Sequence, residues 1–185
     1  MAILQFKVEA KHIDDNPSFM LEDRKQLHRI DYENATIDID GVTYELTDTF
    51  FPTVDRANPY ALTAEEETVM QHLEQAFRTC DKLQQHIAVF LEKGSLYKIC
   101  DNKLLLHACI PLNEDGSLKE VDVFGTVCKG KALYDAMQDW VYKAFRSESA
   151  EERRRGQDMI WYLWLGQGSP LFAKSKMATF EIYLC

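Results

Sequence analysis

Residues 95–112 read SLYKICDNKLLLHACIPL, and this stretch decides what kind of fold the chain builds. Two apolar runs, LYKIC (96–100) and KLLLHACI (103–110), are separated by Asp101-Asn102. That pair tolerates the left-handed backbone of a tight two-residue turn, so the spacing predicts a β-hairpin. The second arm is apolar on both faces, the pattern of a central strand covered from both sides. It carries His107 near its end and runs into Pro111 and the polar loop Asn113-Glu114-Asp115-Gly116-Ser117.

Upstream of the hairpin, Thr63-Ala64-Glu65-Glu66 is a capping box, in which the first hydroxyl and the last carboxylate satisfy each other's backbone N–H. It predicts a helix with Val69, Met70, Leu73, Ala76 and Phe77 as its apolar positions. A further helical stretch with Leu83, Ile87, Phe90 and Leu91 closes at Gly94. The pattern leaves open whether these are two helices or one, bent near Cys80-Asp81. In TIDIDGVTYELTD (36–48), Ile37 and Ile39 alternate with aspartates, Asp40-Gly41 supplies the turn, and Val42, Tyr44 and Leu46 alternate again. A second hairpin follows. Thr47 to Leu62, with Pro52 and Pro59, reads as a surface loop. Asn16-Pro17 reads as an N-cap with proline in the first turn, predicting a helix to Ile30. Residues 2–9, AILQFKVE, are too short a window to classify by period.

Downstream, EVDVFG (120–125) is a short strand-like piece. Ala132, Leu133, Ala136, Met137, Trp140, Val141, Ala144 and Phe145 recur in pairs every four residues, the stripe of a core-facing helix. Ser149-Ala150-Glu151-Glu152 is a second capping box. Its helix carries EERRR (151–155), read as a solvated face, then MIWYLWLG (159–166). The last element, LFAKSKMATFEIYLC, stays unclassified. About five helices with short hairpins place the chain in the α/β class, α+β when taken by itself.

Composition excludes several alternatives. The 185 residues hold 21 basic and 30 acidic side chains, a net charge of −9, which removes the positive footprint of a nucleic-acid module. No run of apolar residues is long enough to span a membrane. The N-terminus lacks the charged region and cleavage site of a signal peptide, so a cytoplasmic protein is expected. Cys80, Cys100, Cys109, Cys128 and Cys185 are odd in number and widely spaced, which fits free thiols rather than a disulfide scaffold. The length gives a prior of one domain.

Among ionisable residues, His107 at a strand end is the candidate metal ligand, weighed against a merely structural histidine. Asn113, Glu114 and Asp115 fit a turn better than a ligand set. His12, His28, His72 and His86 match no zinc spacing such as HExxH, and neither GxSxG nor GxGxxG occurs. Gly166-Gln167-Gly168-Ser169-Pro170 followed by Lys174 and Lys176 has the makings of a phosphate-holding loop, or of a plain helix terminus with solvated lysines.

Several strings together resemble the class III fructose-1,6-bisphosphatases, the large bacterial type. They are EDRKQLHRIDYENATIDIDGVTYELTDTFFPTVD (22–55), KGSLYKICDNKLLLHACIPLNEDGS (93–117), GKAL (130–133) and MIWYLWLGQGSPLFAKSKMATFE (159–181). The resemblance implies part of a metallo-dependent phosphatase sandwich, two β-sheets flanked by helices. Such proteins are several times longer, and draw metal ligands from GDxH, GDxxDRG, GNHD and GHTP motifs, all absent here. It therefore implies a single partial domain over 1–185: helix, hairpin and loop to 62, a helical segment over 63–94, strands over 95–128 and a helical end over 131–185. His107 stands where that family has an isolated histidine ligand for manganese or magnesium. Lys174 and Lys176 become candidate contacts to the phosphates of a sugar bisphosphate. No catalytic residue is expected within the chain.

Further implications are the remainder of the parent enzyme as partner, a possible homo-oligomer, and no nucleic-acid or membrane partner. The implied reaction is metal-dependent hydrolysis of the 1-phosphate of fructose 1,6-bisphosphate, in gluconeogenesis, with the chain inactive alone. The competing expectation is a non-catalytic cap, structural or assembly domain. Four positions depart from the family pattern: Ala108 and Ala173 replace glycine, Leu165 a cysteine, and Ile182 an arginine.

Overall fold

The computed structural model describes residues 2–174. Contacts gather them into two compact units, divided in sequence between Thr79 and Cys80.

The first unit opens with helix α1 (Ala2–Asp15). Ile3, Phe6, Ala10 and Ile13 share one face, and the last three are buried; the period emerges only once the window passes residue 9. The helix predicted from Pro17 to Ile30 does not form. Three separate 3-10 turns replace it, Pro17–Phe19, Glu22–Arg24 and Leu27–Arg29. The Asn16 side chain caps backwards, its Nδ2 donating to the His12 carbonyl at 3.0 Å and closing α1. Met20 then turns left-handed (φ 54°), which ends the first turn. Phe19, Leu21, Arg24 and Leu27 are all buried, an arrangement no single helix face provides.

Strands β1 (Ile30–Asp31), β2 (Thr36–Ile39) and β3 (Val42–Glu45) form an antiparallel sheet in that order, Ile37 opposite Tyr44 and Ile39 opposite Val42. Asp40 (φ 54°) and Gly41 (φ 79°) both adopt positive φ, as the predicted tight turn requires. Phe6, Leu27, Ile30, Ile37 and Leu46 make the core, with Tyr32, Phe51 and Tyr60 against it.

Helix α2 (Ala64–Thr79) starts at the predicted capping box. Thr63 N–H donates to Glu66 Oε2 at 2.9 Å and Glu66 N–H to Thr63 Oγ1 at 3.2 Å. Glu66 Oε2 also meets Lys7 Nζ at 2.8 Å, and Lys7, its side chain wholly buried, donates in addition to the Thr53 carbonyl. Burial alone would raise the Glu66 carboxyl, but Lys7 and the Thr63 N–H outweigh it and hold it below its ordinary value. A carboxylate depressed on folding stabilises the native state above its unfolded pKa, and that contribution drains away as pH falls through the folded value. The first unit is therefore expected to weaken on acidification below pH 4.5, Glu66's ordinary value. Glu66→Gln should flatten that acid limb in denaturant midpoints measured from pH 7 downward. An acid limb identical to wild type would remove Glu66 from the account.

The second unit begins with α3 (Asp81–Lys93), a helix of its own because Cys80 is extended (φ −80°, ψ 97°). Strands β4 (Tyr97–Cys100) and β5 (Lys103–Leu106) form the predicted hairpin, with Asp101 and Asn102 at φ 49° and 58°. β5 is not a central strand: among the described residues it pairs with β4 alone, and Leu105 is 54% exposed. The apolar run that reads as burial on both faces here lies on an open hairpin. EVDVFG becomes the first arm of a third hairpin, β6 (Val121–Val123) and β7 (Thr126–Cys128), turning at Phe124-Gly125.

Helices α4 (Lys131–Arg146) and α5 (Ala150–Leu165) supply most of this unit's core. Leu133, Tyr134, Met137 and Ala144 of α4 and Met159, Tyr162, Leu163 and Leu165 of α5 are buried, as are Val121 and Val123. Ser149 Oγ accepts the Glu152 N–H at 3.3 Å, but the Glu152 carboxylate takes the Ser147 hydroxyl at 2.6 Å rather than closing the box. The EERRR block acts locally: Arg155 pairs with Glu151 at 2.8 Å, and Arg153 donates to the Ser147 and Glu148 carbonyls. All ladders among the described residues are antiparallel, so the chain is a mixed arrangement of helices and small antiparallel sheets. None of the described helices is long and apolar enough to cross a membrane.

Candidate functional site

His107 follows β5 directly, on a bend, with its ring exposed. Two residues later the backbone is gripped. Cys109 N–H donates to the Pro170 carbonyl at 3.3 Å, and the Cys109 carbonyl accepts the Tyr134 hydroxyl at 2.6 Å. Cys109 Sγ lies 3.9 Å from the Ser169 carbonyl. The strand-end segment and the loop after α5 are thus joined, although some 60 residues separate them.

Tyr134, in the first turn of α4, is 4% exposed. Its ring sits edge-on to Tyr97 of β4, centroids 5.6 Å apart. Tyr97 in turn donates to Asp135 Oδ1 at 2.8 Å, and Lys131 pairs with the other oxygen of Asp135. Burial raises the Tyr134 hydroxyl above its ordinary value, which keeps it protonated as a donor. Nothing in the periodicity singles out Tyr134, because its spacing is that of any core position of α4.

The Gly166–Pro170 loop does not offer its backbone to a phosphate. Gly168 N–H donates to the Tyr162 hydroxyl at 3.1 Å and Ser169 N–H to the Gly166 carbonyl at 2.9 Å. The buried Ser169 hydroxyl donates to the Leu163 carbonyl at 2.6 Å and accepts the Leu171 N–H at 3.1 Å. A Cβ on Gly168 would stand 2.7 Å from Val121 Cγ2, so this loop is a packed joint. Lys174 is exposed beyond it; Lys176 lies outside the described residues.

Asn113 to Ser117 form a turn. Asn113 N–H donates to the Ser117 carbonyl at 2.8 Å, and Asp115 Oδ1 accepts both the N–H and the hydroxyl of Ser117. Those bonds hold the Asp115 carboxyl below the usual carboxylate range. His12, His28, His72 and His86 are exposed, and His28 Nδ1 lies 2.7 Å from the Tyr60 hydroxyl.

No group of three or more His, Cys, Asp or Glu able to hold a metal ion occurs among the described residues. A solvent-facing imidazole is a competent nitrogen donor for a divalent cation. His107 therefore fits as one contributed ligand, and the described residues do not complete a centre around it.

The family model for "Firmicute fructose-1,6-bisphosphatase" matches residues 1–185. The chain belongs to the Firmicute fructose-1,6-bisphosphatase family. Relatives within this fructose-1,6-bisphosphatase family include three proteins named fructose-1,6-bisphosphatase class 3. The one from Clostridioides difficile strain 630 is 44% identical over 184 residues, covering 99% of this chain and 28% of that protein. Those from Phocaeicola vulgatus and Clostridium acetobutylicum are each 45% identical, with the same two coverages. The chain thus spans 28% of the length of these curated relatives. No solved structure matches it.

Proposed function

We propose that this chain is one part of a metal-dependent fructose-1,6-bisphosphate 1-phosphatase of gluconeogenesis, built on a metallo-dependent phosphatase sandwich and working in the cytoplasm. The observation that carries the reading is the junction at Cys109. Two of the strings that carry the family resemblance, HACIPLNEDG and WYLWLGQGSPLF, meet there. His107 serves as one ligand to manganese or magnesium, and the other ligands come from the remainder of the parent enzyme. When bound, the metals supply an activated water and positive charge for the phosphoryl oxygens. In this reading Lys174 and Lys176 supply positive charge for phosphate that a chain of net charge −9 would otherwise repel.

A single imidazole cannot anchor a two-metal centre, so the 185-residue chain alone is expected to show no manganese-dependent release of phosphate from fructose 1,6-bisphosphate. In the longer protein that carries this segment, His107→Ala should lower turnover at least about tenfold and raise the manganese concentration needed for half-maximal rate. Turnover by the chain alone, or an unchanged His107→Ala protein, would sink the reading.

A second reading, a cap or assembly domain that pairs copies of the protein, is favoured by one observation. Neither α2 nor α3 buries a single residue within the described structure. Under that reading His107→Ala leaves the parent's rate and metal requirement unchanged.

A further inference from the structure

The geometry points to Tyr134 as a positioning residue for His107, acting through the Cys109 peptide; this rests on the metal-ligand reading above. His107 itself is exposed and on a bend. Among the described residues, no hydrogen bond to the ring orients it. What restrains the segment is the peptide two residues on. Its carbonyl is held at 2.6 Å by a phenol whose ring is 4% exposed, and its N–H is held by Pro170.

The anchor is rigid because Tyr134 is fixed at both ends. Its backbone lies in the first turn of α4, beside the buried Leu133 and Met137, and its ring packs edge-on against Tyr97 at the start of the same hairpin that His107 ends. Tyr97 pairs across the ladder with Leu106, the residue before His107. Tyr134 thus touches the chain on both sides of the histidine: it meets Tyr97 by ring packing and Cys109 by hydrogen bond. A ligand on an open hairpin needs such an outside support, because groups that orient a metal ligand contribute heavily to affinity.

Tyr134→Phe removes only the hydroxyl and keeps the ring packing. In the 185-residue chain, hydrogen exchange at the Cys109 amide should speed up about tenfold, while amides of α5 such as Leu163 keep their protection. In the longer protein, equilibrium dialysis with manganese alone should show affinity lowered about 10- to 100-fold, with the thermal midpoint nearly unchanged and His107→Ala as the reference. Exchange that rises equally in α5 and at Cys109, or does not rise at all, overturns the role by making Tyr134 an ordinary core residue. So does wild-type manganese affinity in Tyr134→Phe when His107→Ala weakens binding, an outcome that leaves the ligand reading standing. If His107→Ala itself binds manganese like wild type, the ligand reading falls, and the positioning role with it.

Discussion

Lys7→Met is expected to destabilise the first unit by about 3 kcal/mol, the lower part of the range for breaking a buried ion pair. The Lys7 side chain is wholly buried, and Glu66 keeps 12% of its side-chain exposure. Methionine preserves most of the stem's packing but removes the ammonium that satisfies Glu66 and the Thr53 carbonyl together. Glu66 would then sit nearly buried with the Thr63 N–H and the Thr53 side chain as its remaining supports, and the Thr53 carbonyl would lose its donor. Partial relief through water at the exposed edge of Glu66 argues against the upper end of the range. Lys7→Met combined with Glu66→Gln should recover part of the loss, because glutamine still accepts the capping bond without carrying a charge. Denaturant unfolding of the four proteins in the cycle measures this coupling. A single-mutant loss below about 1 kcal/mol would place the pair with ordinary surface bridges.

Gly156→Ala is expected to destabilise the second unit by about 2 kcal/mol, against the usual sign for this substitution in a helix. Replacing a mid-helix glycine with alanine normally gains about 1 kcal/mol. Here the new Cβ would stand 2.5 Å from both the Ala144 nitrogen and the Trp140 carbonyl oxygen of α4. These are backbone atoms of a neighbouring helix and cannot swing aside. The helices must separate where Met137, Ala144 and Met159 are packed, and overfilling a dense core costs about 1–3 kcal/mol or more. Thermal unfolding monitored by the tryptophans of α4 and α5 would register the loss. A neutral or stabilised variant would mean the crossing is looser than these distances require.

What the sequence makes legible follows the range of the forces involved. Local chemistry is readable: Asp40-Gly41 and Asp101-Asn102 turn where turn residues stand, and Thr63 and Glu66 close their box within four residues. Properties that depend on distant partners are not. The apolar run Leu104–Leu106 looks identical whether neighbours cover it or not, so its open position on a two-stranded hairpin is invisible in the pattern. Asn16-Pro17 fits a helix start, yet the amide turns back to His12, a choice made by α1 and not by the dipeptide. The Ser169 loop has the glycines and serine of a phosphate cradle, but Tyr162, Leu163 and Leu171 consume its hydrogen bonds. His107 can be found from the sequence, whereas its support from Tyr134 requires α4 to be laid against the hairpin.

Three of the four departures from the resembled pattern stand close in sequence to the joint between Cys109 and the Ser169-Pro170 loop, and the fourth, Ile182, lies outside the described residues. Ala108 adjoins Cys109, Leu165 ends α5 just ahead of the loop, and Ala173 follows shortly after it. Ala173 lies at φ 48°, where a methyl group costs about 1 kcal/mol and the glycine of the resembled pattern would rest without strain. All three positions therefore flank the joint along the chain. Glycine at 173 would relieve that strain beside the joint.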